Sequence, residues 1–84
     1  MSYSPFSGRD VVKAMVNSGI YEWVRTNGDH AILVWNPPES HDSPRRTVPV
    51  PLHDELREGT LKEIGEQAGM QDFQEFKAWI DRNS

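Results

Sequence analysis

The chain has 84 residues and a formal net charge of −4, with 13 acidic against 9 basic residues. It has no cysteine, which excludes disulfide staples, thiolate nucleophiles and thiolate metal sites. The length fits one domain with a modest core, no apolar run is long enough to span a bilayer, and the acidic balance speaks against nucleic acid unless Lys and Arg cluster on one face.

Residues 1–6 read as a loose, flexible N-terminus, and residues 7–84 as a single domain. The opening Met1-Ser2-Tyr3-Ser4-Pro5 lacks the basic and apolar regions of a signal peptide, so the cytoplasm is the expected compartment. Ser7-Gly8-Arg9-Asp10 follows the capping-box pattern, with Ser7 as N-cap. Val11, Val12, Met15 and Val16 then recur at helical spacing, and Gly19 is placed to end that helix. Residues 20–25 and 31–35, rich in β-branched and aromatic side chains, predict two strands. Between them lies Thr26-Asn27-Gly28-Asp29-His30, whose Asn-Gly pair is a hairpin signal because both residues tolerate positive φ. Residues 36–45, with three prolines, predict a loop. Residues 46–50 predict a third strand, confined to an edge by Pro49 and Pro51. Thr60-Leu61-Lys62-Glu63 is a second capping-box pattern, followed by a stripe of Leu61, Ile64 and Ala68 and by Gly69 as terminator. Asp72 starts a last helix whose Phe73, Phe76 and Ile80 share one face. The order helix, three strands, helix, helix gives an α+β fold (α-β-β-β-α-α), with helices on one face of an antiparallel sheet. His30, Ile32 and Val34 share one face of the second strand and Ala31, Leu33 and Trp35 the other; both are apolar, and if both are partly covered a partner is the expected second cover.

Several residues are candidates for chemistry. His30 at the hairpin is either a general acid or base or an idle turn histidine. Asp29 is its neighbour, but adjacent strand residues point to opposite faces, so no local triad is expected. His53, after the third strand, is either a second site residue or a structural loop histidine. His41 reads as a solvated loop residue, and the spacing of the three histidines matches no metal-ligand motif. Arg25, Arg45 and Arg46 form the best basic cluster, expected to converge near the hairpin if the sheet closes, or else to guard a sheet edge. Lys13 and Lys62 are weaker phosphate candidates on helices. Trp23, Trp35 and Trp79 are either base-stacking surfaces or core. Neither a phosphate-cradling glycine loop nor a nucleophile elbow is present.

The order of these pieces is more specific than any one of them. Ser7-Gly8-Arg9-Asp10-Val11-Val12-Lys13, Asn17-Ser18-Gly19-Ile20, Val24-Arg25-Thr26-Asn27-Gly28-Asp29-His30, Thr47-Val48-Pro49-Val50-Pro51-Leu52-His53, Gly59-Thr60-Leu61-Lys62-Glu63-Ile64 and Gln67-Ala68-Gly69-Met70 follow one another along nearly the whole chain. This resembles the HicA family of toxins from HicA–HicB toxin–antitoxin pairs. The resemblance implies a fold like the double-stranded RNA-binding domain. It also implies a messenger-RNA interferase that cleaves RNA without a metal or other cofactor, and a HicB-like antitoxin protein as partner. The family's essential histidine sits in a Gly-Ser-His or similar tripeptide, which maps onto Gly28-Asp29-His30, with Asp29 in place of the commoner serine. Its Pro-x-His piece maps onto Pro51-Leu52-His53. On this reading His30 is the catalytic residue, and Gly28, Arg25, Arg45, Arg46, Lys13 and Lys62 are candidates for RNA contact. A non-catalytic RNA-binding module or a protein-interaction module on the same fold is the alternative.

Overall fold

The computed structural model describes residues 3–35 and 45–84. The loop expected over residues 36–45, His41 included, lies outside the described residues except for Arg45. The elements are α1 (Gly8–Asn17), β1 (Tyr21–Asn27), β2 (His30–Trp35), β3 (Arg46–Pro51), α2 (Glu58–Gln67) and α3 (Phe73–Asn83). The strands form one antiparallel sheet in the order β1-β2-β3. None of the helices is long and apolar enough to cross a membrane.

Local chemistry accounts for most of the element ends. Ser7 Oγ accepts from the Asp10 N–H at 3.1 Å, and the Asp10 carboxylate accepts from the Ser7 N–H at 2.9 Å, closing the capping box of α1. Asp72 caps α3 by accepting from the N–H groups of Gln74 and Glu75. The expected cap at Thr60 is not used. Helix α2 starts earlier, at Glu58, with Arg57 at the N-cap and no side-chain cap bond, so Thr60 lies inside its first turn. The chain is already anchored there: Leu56 is buried, and Arg57 bridges to Tyr3.

That bridge is joined by two further contacts of the N-terminal segment. The Ser4 N–H donates to the Leu56 carbonyl at 2.7 Å, and Phe6 packs into the core. These contacts are long in sequence separation, which local patterns do not register.

The prolines of β3 cost the ladder nothing. The Leu52 N–H donates to the Asp29 carbonyl at 2.7 Å. Backbone N–H groups alternate in direction along a strand, so Val48 and Val50 share that direction, and the nitrogens of Pro49 and Pro51 face away from β2.

Ala31 and Leu33 of β2, paired with Val50 and Val48 of β3, present the inner face of the sheet. One hydrophobic cluster joins this face to Val11 and Met15 of α1, Leu61 and Ile64 of α2, and Phe76 and Ile80 of α3. Helix α1 packs on the sheet and on α3, while α2 packs along β3. On the opposite face, Ile32 and Val34 are already buried within this chain, so that face needs no partner to cover its centre.

Candidate active site

The site begins with a two-residue turn. Asn27 pairs with His30 across the hairpin, so Gly28 and Asp29 are the central residues. Gly28 has φ +64°, and no other residue in the turn has positive φ. Positive φ at the first central position alone is the II′ pattern, which suits the right-handed twist of paired strands. The hairpin expectation holds, but the residue needing freedom is Gly28, and Asn27 belongs to β1.

This register decides where Asp29 points. It sits in the turn, not in a strand, so the alternation that would separate it from His30 does not apply. One carboxylate oxygen, Oδ1, lies 2.8 Å from His30 Nδ1. The other, Oδ2, lies 2.7 Å from His53 Nε2. The expectation that nothing local assembles around His30 is therefore corrected: Asp29 joins the two histidines. Sequence spacing missed it because His53 is 24 residues away. The signal available was the turn itself, since a two-residue hairpin loop puts its second residue beside the first residue of the returning strand.

His53 is placed by backbone contacts on both sides. The Leu52 N–H is bound to the Asp29 carbonyl, and the His53 carbonyl accepts from the Gly8 N–H at 2.8 Å. Gly8 is required for this approach, because a Cβ there would fall 1.8 Å from the Pro51 carbonyl oxygen. The first residue of α1 thus abuts the end of β3, and His53 is held where those two elements meet.

A carboxylate only accepts hydrogen bonds, so each ring nitrogen facing Asp29 carries the proton. In the neutral rings, His30 Nε2 and His53 Nδ1 are then left as lone-pair acceptors, able to take a proton. All three side chains remain open to solvent, at 44 % exposure for His30, 62 % for Asp29 and 55 % for His53. The His53 hydrogen bond, first among several causes, holds the Asp29 carboxyl below its usual range; the charge of His30 acts in the same direction and desolvation opposes. Beside His30 a concavity of about 160 Å3 runs between Pro49 and Pro51 of β3 and Thr60, Glu63 and Gln67 of α2. Among the described residues, no group of three His, Cys, Asp or Glu side chains is arranged to hold a metal ion.

The basic residues do not converge as expected. Arg25 pairs with Ile32, two residues along β2 from His30, and so stands on the same face. Arg46 pairs with Trp35 at the other end of β2, five residues from His30 or roughly 17 Å. Its guanidinium lies 5.7 Å from the Trp35 ring centre and against Gly69, at the rim of an apolar concavity with Tyr21 and Trp79. Arg45 precedes Arg46 and is exposed at that same far end. Lys13 is exposed on α1, and Lys62 is exposed on α2. Trp35 and Trp79 pack against the core, whereas Trp23 stands exposed on β1.

A model of the family described as the HicA toxin of bacterial toxin–antitoxin systems matches residues 8–70. The chain belongs to the HicA toxin family. No curated protein and no solved structure matches it. The HicA match runs from the first residue of α1 to just beyond α2 and contains Asp29, His30 and His53. Helix α3, which supplies Phe76 and Ile80 to the core, lies after the matched HicA segment.

Proposed function

We propose that this HicA toxin is an endoribonuclease that cleaves messenger RNA without a metal, with His30 as general acid or base, and that a HicB-like antitoxin silences it. The observation that carries the reading is the Asp29 carboxylate shared by His30 and His53, in a chain of a toxin family. Cleavage of RNA by its own 2′-hydroxyl needs two proton transfers. A base takes the hydroxyl proton as the oxygen attacks phosphorus. An acid protonates the 5′-oxygen as the P–O5′ bond breaks, leaving a 2′,3′-cyclic phosphate. Two imidazoles oriented by one carboxylate supply both roles from one place, and each borders a concavity, His30 between β3 and α2 and His53 beside Tyr3, Glu55 and Thr60. Arg25, on the His30 face, is the arginine positioned to stabilise charge on the phosphate in the transition state.

Incubation with single-stranded RNA in chelator tests this. The wild type cleaves and yields cyclic-phosphate ends, and His30→Ala loses about 10²- to 10⁴-fold in rate. Equal cleavage by both proteins removes His30 from the mechanism. RNA binding without any cleavage favours the non-catalytic RNA-binding reading, and absence of both favours a protein-interaction role.

A further inference from the structure

A second concavity, of about 340 Å3, lies between α1 and β1 and takes no part in the histidine pair. Arg9, Lys13 and Val16 of α1 line it, together with Trp23 and Leu52. We propose that it is a nucleotide subsite, in which a base of the RNA next to the scissile phosphate stacks on Trp23 while Arg9 and Lys13 hold the adjoining backbone phosphate. The proposal rests on the RNA-cleavage reading above and extends it to substrate positioning.

Three independent features point to this occupant. The first is the ring itself. Trp23 is 43 % exposed, yet its Nε1–H is tied to the Arg25 carbonyl at 3.0 Å and to Thr26 Oγ1 at 3.1 Å. The indole is therefore held in one orientation at the surface, with its polar group already satisfied within β1. A bulge between Trp23 and Arg25 shifts the register there. A fixed exposed aromatic face is what base stacking needs, and it accepts any base.

The second is charge. The chain as a whole carries −4, yet this concavity is lined by two cations and by no carboxylate. Among the described residues neither Arg9 nor Lys13 enters an ion pair. The other concavities differ: Glu63 lines the one beside His30, and Arg46 at the far end is engaged on Trp35.

The third is continuity with the histidine pair. Leu52 forms one wall of the concavity, and its N–H is bound to the Asp29 carbonyl. The next residue is His53, whose carbonyl is bound to the N–H of Gly8, the residue before Arg9. The concavity and His53 are thus joined through the backbone of residues 52–53 and the first turn of α1.

Binding is read separately from cleavage with a 2′-O-methyl oligonucleotide, which lacks the attacking hydroxyl. The full chain is titrated by fluorescence anisotropy, and the Trp23 indole N–H is followed by NMR. The subsite predicts a shifted Trp23 signal and a Kd weakened about 5- to 150-fold in Trp23→Ala, with most of the affinity kept in Trp23→Phe. Arg9→Gln and Lys13→Gln each flatten the dependence of log K on log salt by about 0.7. An unmoved Trp23 signal, or wild-type affinity in Trp23→Ala and in the Arg9→Gln, Lys13→Gln double variant, overturns the subsite. If the wild type still cleaves RNA in that case, only the subsite fails; if it neither binds nor cleaves, the ribonuclease reading fails with it. A Trp23 signal moved only by an antitoxin protein assigns the concavity to a protein and also overturns the proposal.

Discussion

At the scale of single residues, Asp29 organises the site. Its two oxygens face two different rings, so the carboxylate decides which nitrogen of each ring is free. Asp29→Asn keeps the size but offers only one acceptor oxygen, and its amide group faces the other ring as a donor. Cleavage in this variant is expected to fall, by less than in His30→Ala, since His30 itself remains. Measured rates for the two variants side by side check the order. The titration of Asp29 gives a second check. Because the His53 hydrogen bond is the largest cause of its lowered pKa, His53→Ala should raise the Asp29 carboxyl back towards the usual 3.8, as read by NMR of its side-chain carbon. The sign for stability follows. A carboxyl lowered in the folded state adds stability above its unfolded pKa and loses it as pH falls through the folded one. The histidine contacts are therefore expected to hold at neutral pH and to loosen only below the ordinary carboxylate range.

At the scale of elements, the critical join is between α1 and the end of β3. Gly8→Ala places a methyl group on the Pro51 carbonyl, and backbone on backbone leaves nothing flexible to yield. The variant is expected to lose about 1–3 kcal/mol, measured by urea denaturation, and to displace His53 with a matching loss of cleavage. Much at this scale was legible from sequence. Ser7 and Asp72 announce their helices through side-chain oxygens, and the prolines of β3 confine it to an edge, because each effect acts within a few residues. Thr60 misled for the complementary reason: a good local cap pattern was overridden where Leu56 and Arg57 were already held by the N-terminal segment. Arg46 misled as well. Its place at the start of β3 is legible from the sequence, but an antiparallel strand of six residues carries that start away from the hairpin. The Asp29–His53 contact could not be read from pattern, since it depends on the register of two strand pairings at once.

At the scale of the whole molecule, the core depends on a helix outside the family-matched segment. Phe76 is completely buried and meets Gly65 of α2 at a distance that leaves no room for a side chain there. Phe76→Ala is expected to cost about 3–5 kcal/mol. Domains of this size hold roughly 5–15 kcal/mol in all, so the change removes a large share of the stability. A thermal melt by circular dichroism should show the midpoint falling by well over 10 °C, at about 4–8 °C per kcal/mol. The site, being built on the sheet and α1, should retain its geometry at low temperature in that variant, so residual cleavage in the cold separates a loss of stability from a loss of chemistry.

The bond from Asp29 to His53 spans 24 residues and forms only when β3 has paired with β2. On the proposed function, a half-synthesised chain carries His30 on its hairpin but not the oriented pair. On that reading full cleavage is expected only once the third strand has closed on the second, and a variant that loosens β3 is expected to lose cleavage together with the Asp29–His53 bond.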